Sequence, residues 1–168
     1  NTNLSFFQSG RGAMGFFGSW TTGEMANNDY TAANADVAPL PKGKQAATVF
    51  NGLANSVAAS TENEEAALKF VEFLGTEEAM RLQGENGAAI PAYEGTEESF
   101  VNAYSQFNIQ VYVDQMENAY IKPYSKETAR WEDVENNALM SVFDGKASVA
   151  DVAADIVAGV EEVLANEK

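Results

Sequence analysis

The chain has 168 residues, of which 45% are hydrophobic and 21% are charged, so it is long enough and apolar enough to bury a core. Its 10 Lys and Arg residues against 25 Asp and Glu residues give a formal charge of -15, which repels phosphate backbones, and we expect no nucleic acid partner. The sequence contains no Cys and no His, which excludes thiol nucleophiles, Ser-His-Asp triads and metal sites built on those ligands.

The first half of the sequence favours short strands separated by turns. An apolar run bracketed by glycines predicts a buried strand from Ala13 to Gly18. Residues 36–40 predict a second short strand, which prolines end before a surface turn at residues 41–43. Residues 47–59 are rich in strand-forming types, and their Asn51-Gly52 pair suits a turn between two strands or a bend in one.

From Thr61 the pattern becomes helical. Thr61 and Glu64 have capping-box spacing, Asn63 is an alternative cap, and Gly75 ends the segment. The apolar residues of this predicted helix share one face: Ala67, Phe70, Val71 and Leu74.

The middle of the chain predicts two further helices and one ambiguous segment. The first helix runs from residue 76 or 77 to about 82, and an extended stretch over 88–93 separates it from a second helix over 97–104. Residues 108–119 fit either a strand or a helix by periodicity, and residues 120–125 are expected to be irregular around a proline.

The last 40 residues carry the clearest helical signals. Apolar residues recur at helical spacing from Trp131 onwards and predict a helix. This helix ends at Asp144-Gly145, a sequence typical of a helix C-terminus. Ser148 then caps a long helix with Val and Ile on one face and Asp and Glu on the other. We expect this amphipathic helix to pack against an apolar partner surface.

Two catalytic motifs are suggested by spacing alone. Residues 10–15 match the G-x-G-x-x-G pattern, but they precede a predicted strand where a nucleotide-binding loop would open a helix. Several Glu-Glu pairs occur, but each lies in or near the first turn of a predicted helix or on its polar face, where helix dipoles and water explain it. The residues therefore predict neither nucleotide binding nor glycoside hydrolysis, and we expect no cofactor and no metal.

The two tryptophans are candidates for a ligand platform. Trp20 follows a Gly-Ser turn at the end of a predicted strand, and Trp131 begins a predicted helix. Tryptophans are more often core residues, but rings at such positions can project into a cleft and stack on the apolar faces of sugars.

The order of sequence blocks resembles the C-terminal part of the extracellular solute-binding proteins of ABC importers, in the sugar-binding family related to maltose-binding protein. The resemblance covers essentially the whole chain and is carried by residues 7–20 (F-x-x-G-x-x-A-M, then G-S-W), 37–43 (V-A-P-L-P-K-G), 50–54 (F-N-G-L-A), 59–70 (A-S-T-E-N-E-E-A-A-L-K-F), 89–93 (A-I-P-A-Y) and 144–151 (D-G-K-A-S-V-A-D).

The resemblance implies an α/β fold of the periplasmic-binding-protein type II, helix-rich with short strands, and two lobes that close on a ligand. It would place residues 1–50 and 97–168 in the C-terminal lobe and about 53–93 in the N-terminal lobe. Family members are longer, and this chain lacks an initial Met, so we expect a portion of a two-lobed protein. The middle segment should then expose apolar side chains that have lost their partners, or a neighbouring chain should bury them; these residues are Phe70, Val71, Phe73 and Leu74.

The same resemblance implies a non-catalytic function. It predicts a protein that binds a sugar or oligosaccharide in an inter-lobe cleft and delivers it to membrane permease subunits, either periplasmic or extracellular as a membrane-anchored lipoprotein. The alternative is a non-catalytic protein-interaction module with an acidic helical surface.

The resemblance also nominates ligand-binding residues. Trp20 and Trp131 match aromatic residues that stack on sugar rings, and Asn51 with Gly52 matches a crossover strand that lines the cleft. Further candidates lie beside extended segments or beside Trp131, and each has a structural alternative as an ordinary surface residue: Tyr93, Tyr124 and Arg130, the last also suited to a surface ion pair with a nearby Glu.

Overall fold

The computed structural model describes residues 2–167 and is rich in helices. The α-helices are α1 Thr2–Gln8, α2 Thr22–Ala26, α3 Asp29–Asn34, α4 Glu64–Leu74, α5 Glu77–Glu85, α6 Glu97–Ala103, α7 Gln110–Asp114, α8 Thr128–Phe143 and α9 Val149–Ala165. Short 3₁₀ turns cover Ser19–Thr21 and Gln115–Asn118. Strands β1 Thr48–Phe50 and β2 Ala119–Ile121 pair in parallel, with Val49 opposite Tyr120.

The chain divides into two compact units. The first unit is Asn1–Ile121 and the second unit is Lys122–Lys168. Helices α1 to α7 and both strands lie in the first unit, whereas α8 and α9 form the second. Among the described residues, no helix is both long and apolar enough to cross a membrane.

The first unit has a small buried core. Its members come from α1, α2, α6 and the segment that precedes α7: Leu4, Met25, Phe100, Phe107 and Ile109. Phe100 is fully buried and meets the Tyr104 ring edge-on, with ring centroids 5.8 Å apart. Phe17 packs against the edge of this core and contacts Phe7, so the core supports the segment that leads to Trp20.

The two strands predicted before residue 45 are absent. Residues 13–18 form an irregular segment in which the Met14 side chain is 91% exposed, so the predicted buried strand is wrong. Residues 36–40 also carry no strand, and the Asp36 carboxylate accepts hydrogen bonds from the Val37 and Asn108 amides. A strand needs a partner for its backbone groups, and within residues 2–167 the only paired strands are β1 and β2.

The predictions for residues 47–59, 108–119 and 120–125 agree with the structure in part. Residues 47–59 contain one strand of three residues, β1, and Asn51 follows it directly. The ambiguous segment over 108–119 is mainly helical, with α7 followed by a 3₁₀ turn. Tyr120 and Ile121 belong to β2 and are not irregular as expected, whereas residues 122–125 are irregular.

The predicted helices are confirmed, with differences at their ends. Helix α4 has Asn63 as its N-cap, and the predicted Thr61–Glu64 capping box is absent because Thr61 accepts the amide of Asn63 at 3.2 Å. Helix α5 continues through Gly84, beyond the predicted end near residue 82, to Glu85. Helix α6 ends at Ala103, one residue before the predicted end.

Helix α4 leaves part of its apolar face uncovered. Phe70 is 59% exposed and Phe73 is also exposed, which confirms the expectation for both residues. Val71 and Leu74 are half-buried, so the expectation is met only in part for them.

The second unit consists of two packed helices. Val134 of α8 approaches Gly159 of α9 so closely that a Cβ on Gly159 would lie 2.7 Å from Val134 Cγ1. Ser148 and Asp151 form a capping box at the start of α9, which confirms the predicted cap. Helix α8 ends at Phe143 with Asp144 as its C-cap, also as predicted.

Candidate functional site

Trp20 lies in a 3₁₀ turn directly after the glycine-rich segment. Its side chain is 65% exposed, and the ring lies against Gly18, where a Cβ would overlap the six-membered part of the indole. Hydroxyl groups hold the turn, because Thr21 donates to the Gly18 carbonyl at 2.8 Å and Thr22 to the Ser19 carbonyl at 2.7 Å. The ring is thus placed by its fit to a glycine backbone.

The G-x-G-x-x-G motif serves aromatic packing in this structure. It follows helix α1 and leads into an irregular segment, so the strand and helix of a nucleotide-binding loop are absent from this part of the chain. Gly10 has a φ of 73°, which favours glycine, and a Cβ there would lie 2.6 Å from Tyr30 Cζ. Each later glycine of the segment also lies beside a ring: Gly12 with Phe6, Gly15 with Phe17 and Gly18 with Trp20.

A shallow cleft of about 330 Å³ adjoins the start of this segment. Its lining includes Phe7, Arg11, Tyr30, Asn34 and Asp36. The Arg11 guanidinium lies 5.3 Å from the Phe6 ring centre, and the Asp36 carboxylate is engaged by two backbone amides. These polar groups therefore have partners within the protein.

Trp131 lies in the first turn of α8 and is half-buried. Its indole N–H donates to the Ser125 hydroxyl oxygen at 3.1 Å. The same oxygen accepts the Glu127 amide at 3.2 Å. Hydrogen bonding at the polar edge therefore orients this ring, with its donor satisfied by a residue that precedes the helix.

Glu167 completes the surroundings of Ser125. One Glu167 carboxylate oxygen accepts the Glu127 amide at 3.0 Å. The Ser125 hydroxyl and the Glu127 amide lower the pKa of Glu167 below its ordinary value, because both stabilise the ionised carboxylate. Glu127, which precedes α8, thus contacts Glu167, which follows α9, next to the serine that binds Trp131.

Two further candidates flank Trp131. Tyr124 is 82% exposed, and its neighbour Ser125 carries the hydroxyl that binds the indole. Arg130 forms an ion pair with Glu127, with Nη1 3.3 Å from Oε2, as expected for its structural alternative. An exposed pair of this kind contributes little to stability and can rearrange around a ligand.

The other candidates lie in the first unit. Asn51 and Gly52 follow β1 and are exposed, and a Cβ on Gly52 would meet nothing within 4 Å. Tyr93 is also exposed, and its carbonyl accepts the Thr96 hydroxyl at 2.6 Å. Among the described residues, no hydrogen bond or ion pair joins the side chains of Trp20, Asn51 and Tyr93 to one another.

The predicted ligand residues are distributed over both units of the chain. In the second unit, Arg130 and Trp131 are linked through Glu127 and Ser125, and Tyr124 directly precedes Ser125 in the sequence. Sequence reasoning missed Ser125 and Glu167, whose contact spans about 40 residues and leaves no local signal. No cluster of three or more acidic side chains suited to a metal ion occurs among residues 2–167.

Comparison with known proteins confirms the resemblance. Residues 1–81 match the family model for bacterial extracellular solute-binding proteins. The maltooligosaccharide ABC transporter solute-binding lipoproteins of Streptococcus pneumoniae serotype 4 and of Streptococcus pneumoniae strain R6 are each 27% identical to this chain over 160 residues. The alignments cover 94% of this chain but only 37% of each relative, so the chain spans just over a third of their length.

The first 81 residues of the chain are thus similar to the bacterial extracellular solute-binding proteins. This family implies a periplasmic-binding-protein-like fold, and a helix-rich structure with few short strands is consistent with part of one. Proteins of this family are generally non-catalytic, which fits the expectation that this chain is not an enzyme.

Proposed function

We propose that this chain forms part of the substrate-binding component of an ABC importer and binds a sugar or oligosaccharide. The observation that carries the proposal is the alignment of 94% of the chain with relatives described as maltooligosaccharide-binding. These relatives are 27% identical to the chain, and the proposal accordingly names a class of ligand, sugars and oligosaccharides.

The candidate residues supply the chemistry that sugar binding needs. Sugars present apolar ring faces and a rim of hydroxyl groups, so their sites combine aromatic planes with planar polar side chains. Trp20 and Trp131 provide the planes, and the amide, hydroxyl and guanidinium groups of Asn51, Tyr93, Tyr124 and Arg130 provide hydrogen bonds. Gly52 would allow the backbone to approach the ligand closely.

The proposal includes the type II architecture that the family resemblance implies. Residues of about 53–93 would belong to the N-terminal lobe and residues of about 1–50 and 97–168 to the C-terminal lobe. Closure of the lobes would exclude water from the ligand. The exposed Phe70 and Phe73 of α4 support this assignment, since apolar residues without a partner are typical of an interface.

The proposed partners and location follow from the same relatives. The loaded protein would dock on the membrane permease subunits of the importer, outside the cytoplasmic membrane. It would be either a lipid-anchored or a periplasmic protein, and the lipoprotein description of the relatives supports the first.

Calorimetric titration of the full-length protein with a panel of mono- and oligosaccharides tests the proposal. We expect micromolar or tighter binding to at least one saccharide. Trp20→Ala should weaken that binding by at least about tenfold, because it removes an aromatic plane worth about 1.5 kcal/mol or more. Phe143→Ala is the matched control, since it removes another exposed ring outside the candidate site.

Two results would contradict the proposal. Silence across the saccharide panel would exclude sugar binding and favour the acidic interaction module. Binding that is equally strong in the Trp20→Ala and Phe143→Ala variants would retain the function but remove Trp20 from the site.

A further inference from the structure

The hydroxyl oxygen of Ser125 accepts two hydrogen bonds from groups around Trp131. A serine hydroxyl offers one donor and two acceptor positions. The acceptor positions receive the Trp131 indole N–H at 3.1 Å and the Glu127 amide at 3.2 Å. The hydroxyl also helps to lower the pKa of Glu167, because it stabilises the ionised carboxylate.

The position of Ser125 is itself fixed by the start of α8. The Ser125 amide donates to the Thr128 hydroxyl oxygen at 2.7 Å, and the Thr128 hydroxyl lies 2.7 Å from the Ser125 carbonyl. Ser125 is half-buried, so water competes only in part for its hydroxyl. The acceptor that holds the indole is therefore anchored to the helix that carries the indole.

Glu167 binds the same backbone amide as the Ser125 hydroxyl. Its carboxylate binds the Glu127 amide at 3.0 Å and lies two residues beyond the end of α9. Because the Glu127 amide binds both this carboxylate and the Ser125 hydroxyl oxygen, Glu167 helps to fix the group that holds the indole. The side chain of Glu127 in turn pairs with Arg130, the polar candidate next to Trp131.

We propose that Ser125 and Glu167 are positioning residues for saccharide binding, which hold the Trp131 indole in the orientation that a sugar ring meets. This inference rests on the proposed function and adds two residues to it: Ser125, which binds the indole, and Glu167, which binds the Glu127 amide beside it. An indole held before the ligand arrives loses less conformational entropy on binding than a mobile one.

The test measures saccharide affinity by calorimetry in the full-length protein. Ser125→Ala removes the acceptor of the indole N–H and should weaken binding about five- to tenfold, the scale of one lost hydrogen bond. Ser125→Thr keeps the hydroxyl and should recover most of the affinity. Glu167→Gln keeps an acceptor for Glu127 but loses the charge, and a smaller loss of about two- to threefold is expected.

The matched control is Ser141→Ala in the same helix. The Ser141 hydroxyl donates to the Ala138 carbonyl at 2.8 Å and takes no part in the Trp131 contacts. The control therefore removes a serine hydroxyl of α8 without changing the indole. Its affinity should equal that of the unmodified protein.

A second measurement observes the indole directly. The protein is labelled with 5-fluorotryptophan, and Trp131→Phe identifies the fluorine resonance of Trp131. In the absence of saccharide this resonance should shift or broaden in Ser125→Ala and stay in place in Ser141→Ala. A loss of stability alone would not select this one resonance.

The outcomes separate this inference from the proposed function. An unchanged Trp131 resonance in Ser125→Ala would overturn the positioning role, whatever the affinities show. A changed resonance with undiminished affinity, in a protein whose Trp131→Ala variant binds weakly, would also overturn it and leave the proposed function intact. A protein that binds no saccharide at all would overturn the function and the role of these residues in it.

Discussion

Trp20 and Trp131 are both accessible to a ligand, but the two rings are held by different means. Trp20 rests against Gly18, and its indole N–H has no hydrogen-bond partner within the described residues, whereas the Trp131 N–H binds Ser125. The first unit has a buried core next to its tryptophan segment, while no side chain in the described part of the second unit is fully buried. An exposed ring can thus be oriented by steric fit above a core or by hydrogen bonds at a helix end.

The largest effect is expected from the core of the first unit. Phe100→Ala removes a fully buried ring and leaves a cavity beside Leu4 and Ile109, so the free energy of unfolding should fall by about 3–5 kcal/mol. Urea denaturation of the full-length protein measures this change. Phe143→Ala, which removes an exposed ring, should change the unfolding free energy by less than about 0.5 kcal/mol.

Equal losses of stability in these two variants would contradict the role of the buried cluster in the first unit. If Phe100→Ala and Phe143→Ala destabilise the protein to the same small extent, the cluster around Phe100 is not the support of the first unit. The core that Phe17 packs against would then not explain how Trp20 is held in place.

Gly18→Ala should lower saccharide affinity but leave the free energy of unfolding nearly unchanged. A methyl group at residue 18 would overlap the Trp20 indole, but the ring is exposed and can swing away at little cost. We therefore expect saccharide affinity to fall about tenfold with an unfolding free energy changed by less than about 0.5 kcal/mol. Gly43→Ala is the control, because a Cβ at Gly43 would meet nothing within 4 Å. Unchanged affinity in Gly18→Ala would show that the fit of the ring to the glycine does not matter.

The helices could be predicted because their signals are local. Apolar residues recur on one face of α4, α8 and α9, and the Ser148 cap lies three residues before its partner Asp151. The predicted strand over residues 13–18 failed because an apolar run between glycines does not specify a partner strand. The same glycines are explained by rings that lie against them, which no periodicity reveals.

In the candidate site, too, local features could be predicted from the sequence and long-range contacts could not. Trp20 and Trp131 were found from residue type and position, since both follow or begin an element at a turn. The surroundings of Trp131 were not predicted, because Glu167 meets the Glu127 amide across 40 residues, through the packing of α8 on α9. Local patterns thus predicted the rings but not what holds them.

The smallest effect is expected at the start of α9, where local hydrogen bonds stabilise the second unit. Ser148→Ala removes the side-chain acceptor of the Asp151 amide, and the loss of such a cap costs about 1 kcal/mol. Hydrogen bonds from the Ser148 amide and hydroxyl lower the pKa of Asp151 below its ordinary value of 3.8. The folded state therefore binds this proton less tightly than the unfolded chain, so the stabilising contribution is present above about pH 3.8 and is lost as the pH falls below it.

Urea denaturation at pH 7 and at a series of lower pH values measures both effects in the full-length protein. The difference in unfolding free energy between the unmodified protein and Ser148→Ala should be constant near neutral pH and shrink below about pH 3.8, because protonated Asp151 no longer distinguishes the two. Ser141→Ala lacks a titrating partner and should show no such convergence. A difference that persists unchanged in acid would mean that the hydrogen bond from the Ser148 hydroxyl to the Asp151 carboxylate does not stabilise the second unit.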